Sequence, residues 1–458
     1  MSSEVDANLD YWMSLGAELS RTPRAGTSAA SLRSLADSLS FPEKFEFAIR
    51  NSSADSLTLL IQLEMHMRNE MLTKTRARNW EVDELARKCE QAMLEEHGAQ
   101  EQRRFNELND RLKQVHSAYS VQIKELAEKH RVAFRLAVDS LHSHNSIPAS
   151  LIDEMHNETG RAIRAKTVDV SQAPDVDESY TVYIGSQLKS MHNIRLQSTP
   201  SLVDLCKLNN SEEEQSSRLQ MAMSMYSRSL SAVILLVAKD PLFHARHNTE
   251  FFKLCEQSTE LHFDSLEQQL EDNAESTRKA NLWRMGNEGQ AEEETKNASD
   301  SLEIGDVYCT KHSNLHNIQV QYRSISKRIL IFQVAFHLVV DDILRTSDIQ
   351  SRNPCLNGIR NIVRLSARLG ITTLYIPLLL IGQPSEATTV AWCLKRAEMM
   401  FKCVKGFLIE VCSSSAQHYN IHFVLPSGLL PSIYHHISTM LPTIFHLVPS
   451  VSITLQAD

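Results

Sequence analysis

In the C-terminal third of the chain, continuous apolar runs alternate with stretches of helical spacing. Val334 to Val340 is a short apolar, β-branched run that stops at Asp341-Asp342. Ile359, Ile362, Val363, Leu365 and Leu369 carry the three-and-four spacing that predicts a helix over 357–369, with Gly370 as its C-cap. Ile371 to Leu380 is a second apolar run, Glu386 to Cys412 a long helical pattern and Ile421 to Leu425 a third strand. Ser432 to Leu447 predicts a further helix and Val451 to Leu455 a fourth strand. Apolar strands separated by helices predict an α/β domain over 307–458, with a parallel sheet covered on both faces in a three-layer sandwich.

The N-terminal half reads as mainly α. Residues 1–54 are rich in Ser, Ala and Arg, with only Leu32, Leu35 and Leu39 hinting at a helix, and predict a flexible segment. Residues 55–147 are charged and nearly free of Gly and Pro. Within them Phe105, Leu108, Leu112, Val115 and Tyr119 form a heptad-like seam, and Val82, Leu85, Cys89 and Ala92 an earlier one. This arm of long coiled-coil-like helices either folds on itself as a hairpin or docks a partner subunit along the seam. Residues 177–271 predict a helical layer. It comprises Asp177–Leu196, Leu202–Leu208, the all-round apolar Leu219–Ala238 and Asn248–Leu270. Residues 272–306, with Glu292-Glu293-Glu294 and few apolar positions, predict a disordered acidic linker.

Charge and composition then narrow the function. A net charge of −9 argues against a general nucleic-acid-binding surface. The eight cysteines form no CxxC pair and no zinc-like spacing, so neither a metal nor another cofactor is expected. The first residues carry no apolar signal core, and the most apolar window, around Ile371–Ile381, is about half the length that spans a bilayer. A soluble cytoplasmic protein is expected. His312-Ser313-Asn314 and His337 invite a catalytic reading, but no GxSxG elbow accompanies them, and His337 reads as a core histidine within a strand. Asp341 and Asp342 end a strand at the edge where parallel sheets bind ligands, and Gly382 lies in the loop after the next strand. These three form an alternative pocket, although a phosphate cradle would carry more glycines than Gly382 alone. Lys395, Arg396, Lys402 and Lys405 form a basic stripe, read as a solvated face or as contact with an acidic partner or RNA.

Four stretches carry a family resemblance: Tyr183–Arg195, Thr310-Lys-His-Ser-Asn-Leu315, Ile371–Leu380 and Trp392–Phe407. Together they resemble the third subunit of the FERRY complex, a family long known as a domain of unknown function, over roughly residues 55–455. The resemblance implies a non-enzymatic cytoplasmic subunit of an early-endosomal Rab GTPase effector that carries mRNA. It also implies direct contact with the coiled-coil subunit of that complex, the GTPase and mRNA being reached indirectly. No catalytic residues come with it. The strand-helix-strand from Val334 to Leu380 is more distantly similar to macro domains, which implies nucleotide or ADP-ribose binding as the alternative function. Gln321–Gln333 interrupts the family pattern and is expected to be irregular or to lengthen the Val334 strand. By the same resemblance the N-terminus is expected to lack a segment.

Overall fold

The structure, a computed structural model, describes residues 40–94, 99–158, 177–185, 189–206, 230–284, 300–319, 328–345, 348–386, 388–413 and 417–445. The helical half opens with α1 (Phe41–Asn51), α2 (Ala54–Leu94), α3 (Ala99–His144) and α4 (Ala149–Glu158). Ser40 and Glu43 close a capping box at the start of α1. The long helices α2 and α3 fold back on each other. Leu60, Leu63 and Met67 meet Phe134, Ala137, Val138 and Leu141 in one core, and Glu70 accepts from His130 Nε2 at 2.8 Å.

Among the described residues a sheet of seven strands follows, in the order β1-β2-β7-β6-β3-β5-β4. The strands are β1 (Asp177–Ile184), β2 (Ser190–Thr199), β3 (Leu230–Val237), β4 (Val307–Gln319), β5 (Arg328–Val339), β6 (Ile371–Pro377) and β7 (Asn420–Pro426). The five central strands run parallel, while β1 pairs antiparallel with β2 and β4 with β5. The sheet is therefore mixed rather than wholly parallel. Only five residues separate β1 from β2, and a connection that short reaches only an antiparallel partner.

Three helices cover one face: α8 (Pro354–Leu369), α9 (Val390–Cys412) and α10 (Pro431–Phe445). Asn353 caps α8 through a bond from the Cys355 amide, Pro354 opens it, and Gly370 closes it at φ 72°. This face buries Ala232, Ile234, Phe336, Leu338, Leu374 and Ile376 against them. The opposite face buries Val233, Leu235, Ala335, Val339 and Tyr375. It lies under a 3-10 turn (Leu202–Cys206) and the helices α5 (Phe243–Arg246), α6 (Glu250–Gln257) and α7 (Leu266–Arg284). Helices on both faces make the three-layer α/β architecture beside a helical half with long helices.

The largest correction falls on 177–271. That span is not a helical layer, because it supplies β1, β2 and the central strand β3, so the α/β unit begins at 177 rather than 307. In β3 an apolar residue at nearly every position is buried on both faces of the sheet, and periodicity alone cannot tell such a strand from a buried helix. Asp177–Leu196 holds the β1–β2 hairpin, its buried Val182, Ile184, Ile194 and Leu196 keeping a period of two. The segment 272–284 lies in α7 rather than in a linker, and α1 lies inside the span expected to be flexible. Residues 1–39, 285–299 and the expected strand Val451–Leu455 lie outside the described residues, as do 321–327 of the insert. The rest of the insert lengthens β5 at its N-terminal end, and Gln333 Oε1 accepts from the Ser231 amide at 2.8 Å.

Candidate functional site

The parallel strands end along one edge at Thr199, Val237, Val339, Pro377 and Pro426. Asp341 and Gly382 lie beyond β5 and β6, on either side of β3. Asp341 accepts the Leu344 amide at 3.0 Å and caps a one-turn 3-10 helix, Asp342–Arg345, with Asp342 exposed. A Cβ at Gly382 would meet nothing within 4 Å, so neither close packing nor backbone strain calls for glycine there. Gln383 Nε2 ties the same loop to the Pro200 carbonyl at 2.6 Å. Beneath it Arg396 is buried, its guanidinium 4.1 Å from the Trp392 ring centroid, and Nη1 donates to the Leu379 carbonyl at 3.2 Å. Burial lowers its pKa to about 10. The basic stripe of the sequence is spent internally: Lys395 pairs with Asp348, Lys402 with Glu398, and Lys405 donates to the Ile444 carbonyl.

His312 and His337 do meet, in a buried chain under α6. Thr249 Oγ1 lies 2.8 Å from His244 Nδ1, His244 Nε2 is 3.1 Å from His337 Nδ1, and His337 Nε2 is 2.9 Å from Thr310 Oγ1. Thr310 Oγ1 is 2.8 Å from His312 Nε2, whose Nδ1 faces Cys255 Sγ at 3.9 Å. With every imidazole neutral, each group in turn can donate once and accept once, so one run of donors satisfies the whole chain. Burial pushes His244 down to about 4, His312 to about 3 and His337 well below its usual range. Ser313 is turned elsewhere: its hydroxyl and amide donate to Glu260, which also accepts from the His262 and Phe263 amides. Burial raises the Glu260 pKa against those four bonds. Ser313 is itself buried, and Asp341 belongs to neither group.

His244 and Glu260 escape a reading of the sequence because their partners lie 93 and 53 positions away. A second missed pair is Ser190 and His192, 2.6 Å apart. The Tyr419 amide donates to His192 Nδ1 at 3.1 Å, so Nε2 carries the ring proton and points it at Ser190. In that tautomer the imidazole cannot take a proton from the serine, and burial pushes it down to about 4.

The seam lies on α3 against α2. Val115 is buried, while Phe105, Leu108, Leu112 and Tyr119 are only half-buried, and Lys74 Nζ sits 5.6 Å from the Tyr119 ring centroid. The arm is fastened to the α/β unit at several points, among them the pair of Lys124 on α3 with Glu267 on α7 at 2.6 Å. Arg78 Nη1 on α2 contacts both oxygens of Glu256 on α6, at 2.9 and 3.0 Å. Glu260 holds the loop that inserts Leu261 and His262 into the arm's core, where the His262 ring packs on Phe45, Phe134 and Phe41. Ser313 of the Thr310–Leu315 stretch thus positions the arm, through Glu260.

A family model described as "Ferry endosomal RAB5 effector complex subunit 3" matches residues 14–451. The protein of that name from Homo sapiens is 35% identical over 295 residues, covering 61% of this chain and 51% of the relative. The Rattus norvegicus protein is 36% identical over the same length and shares. The chain spans about half the length of the curated relatives it matches. Among solved structures, an Oceanobacillus iheyensis macrodomain with MES bound superposes at a TM-score of 0.30 with 14% identity, covering 58% of this chain and 99% of its own. That likeness is too distant to bear on function. The family match over most of the residues places the chain in the Ferry endosomal RAB5 effector complex subunit 3 family.

Proposed function

We propose that the chain is a non-catalytic, cytoplasmic assembly subunit of an early-endosomal Rab5 effector, which couples mRNA to endosomes through protein–protein contacts. The names of its relatives and the family support this reading. The observation that carries it is the arm. Two antiparallel helices of 41 and 46 residues leave Phe105, Leu108, Leu112 and Tyr119 partly exposed, which suits a third helix from a coiled-coil partner subunit. In this reading mRNA and the GTPase are reached through other subunits. Among the described residues no helix is long and apolar enough to cross a membrane, and attachment to endosomes is peripheral in this reading.

Leu108→Asp combined with Leu112→Asp tests the seam. Each buried leucine contributes about 1.5–3 kcal/mol to helix pairing. The double variant is expected to keep its helical circular dichroism and lose co-purification of the coiled-coil subunit. A folded variant that still binds would move the interface elsewhere. The nucleotide reading has its own test: ADP-ribose titrated calorimetrically at micromolar concentration is expected to release no binding heat. Asp341 is spent on a cap and Gly382 stands alone.

A further inference from the structure

We propose that the outer face of α8 and α9 is an interaction surface occupied by this chain's own acidic residues 4–18, with a carboxylate against Arg368 and a bulky apolar side chain over Gly406. α8 carries three arginines and no acid, and α9 carries four cations against two glutamates. α10 beside them has no Asp, Glu, Lys or Arg. This layer is therefore positive in a chain whose net charge is −9.

The three arginines follow one side of α8 at a spacing of four. Glu410 of α9 bridges the first two, accepting from Arg360 Nε at 2.9 Å and from Arg364 Nε at 2.6 Å. Two guanidiniums on one carboxylate leave a positive charge over, and both remain partly exposed. Arg364 and Arg368 repeat the i, i+4 gap that Glu410 fills, yet among the described residues the exposed Arg368 pairs with no carboxylate. Gly406 is the second feature. It is exposed in the interior of α9, where glycine costs about 1 kcal/mol relative to alanine. A Cβ there would meet nothing within 4 Å, so no contact inside the described fold calls for glycine. The bare backbone lies beside the half-buried Met399, Cys403 and Ile409, where another segment can approach closely.

Residues 1–20 match this face in charge and bulk. Glu4, Asp6, Asp10 and Glu18 are their only charged side chains, and Leu9, Tyr11, Trp12 and Met13 supply apolar volume. The point where the described chain starts also fits. α1 opens at Phe41 on the arm, beside the loop whose Glu260 bonds Ser313 of β4. α8 meets the same side of the sheet from the other face, through Gly358 against Gly305 just before β4. Residues 19–39 can span at most about 65 Å, against about 30 Å for the thickness of three layers. Nucleic acid and bilayer match less well. Among the described residues none of the exposed large apolar side chains lies on α8 or α9, so the face offers nothing to stack on a base or to enter lipid.

Carbodiimide coupling on the full chain, which joins a carboxylate to a touching lysine amine with loss of water, tests the assignment. Mass spectrometry is expected to find links within one molecule from the acids of residues 4–18 to Lys395, Lys402 or Lys405. They should be independent of protein concentration and vanish at about 0.5 M salt. A labelled peptide of residues 1–20, followed by fluorescence anisotropy, is expected to bind a chain shortened by those residues. The full chain, whose own segment holds the site, is expected to bind it about tenfold more weakly or worse. In the shortened chain Arg368→Glu and Gly406→Gln are each expected to weaken the peptide about tenfold. Gly406→Gln improves helix propensity, so lost binding at unchanged or higher thermal stability marks a blocked face rather than a misfolded one. No links, links only to the arm or only between molecules, equal binding by the two chains, or unaltered affinity in the variants would each overturn the proposal. The coupling needs no variant. A shortened chain that ignores the peptide but takes up anionic vesicles or single-stranded RNA would give the face to that occupant and also overturn it.

Discussion

A methyl group at Gly358 would meet Leu338 Cδ1 at 2.5 Å and the Gly305 carbonyl oxygen at 2.6 Å. Gly305 has φ 89°, and its own Cβ would collide with the Pro354 carbonyl. The two glycines let α8 lie against β5 and the loop before β4. Gly358→Ala gains up to about 1 kcal/mol of helix propensity but overpacks this contact by about 1–3 kcal/mol. A lower urea midpoint with an unchanged slope is the expected result. The histidine chain gives a second residue-scale expectation. Unfolded histidines titrate near 6.5, whereas His244 and His192 are pushed down to about 4 and His312 and His262 to about 3. As the pH falls below about 6.5, the unfolded chain takes up protons that the folded one refuses. The stability these groups confer is therefore complete above that pH and lost as it falls toward 4. Urea unfolding at pH 7.5 and pH 5 measures the loss, and an unchanged midpoint would show that these histidines are solvated. Glu260 opposes this trend, because burial raises its carboxyl pKa and penalises the charged form at neutral pH.

The elements divide by how their signal is written. α8 was legible from the spacing of Ile359, Ile362, Val363, Leu365 and Leu369 and from Gly370 at its end, while the structure adds a first turn that Asn353 caps and Pro354 opens. β5, β6, β7 and the helices between them were legible as alternating runs. β3 was not, since Leu230–Val237 looks the same whether a helix or a sheet buries it. Nor does the sequence say how the arm is held, for Arg78 and Glu256 stand 178 positions apart. Arg78→Ala leaves Glu256 partly buried without its cation. A destabilisation of about 1–3 kcal/mol is expected, with faster amide exchange in α1, α2 and α6 and little change in β5 or β6. Uniform acceleration would mean that arm and sheet unfold as one. The insert divides in the same way. Excising Gln321–Phe332 while keeping Gln333, which bonds Ser231, removes the part of β5 paired with Leu315–Gln319, and is expected to preserve cooperative unfolding because β5 from Val334 onward keeps its pairing with β3.

At the scale of the whole molecule, three apolar cores are stacked in series among the described residues. One lies under α8, α9 and α10, one under the 3-10 turn with α6 and α7, and one inside the arm, reached by Leu261 and His262. Ser313 and Glu260 bracket the last two, so the sheet and the arm share a side chain network rather than a flexible joint. His312 and Ser313 invited a catalytic reading because the residue types suit one. The structure gives them separate partners: His312 meets Thr310 and Cys255, while Ser313 donates to Glu260.

The sequence by itself determined the alternation of strands and helices after Val334, the long helices of the arm, the cap and breaker positions, and the family resemblance. All of these reside in spacings of a few residues or in runs that one chain segment carries alone. Only the tertiary structure decided that β1, β2 and β3 join the sheet, that its edges run antiparallel, and that the basic stripe is internally paired. It alone brought Thr249, His244, His337, Thr310, His312 and Cys255 into one chain. Burial on both faces erases the periodicity that distinguishes strand from helix, and hydrogen-bond partners tens of residues apart leave no local spacing to read.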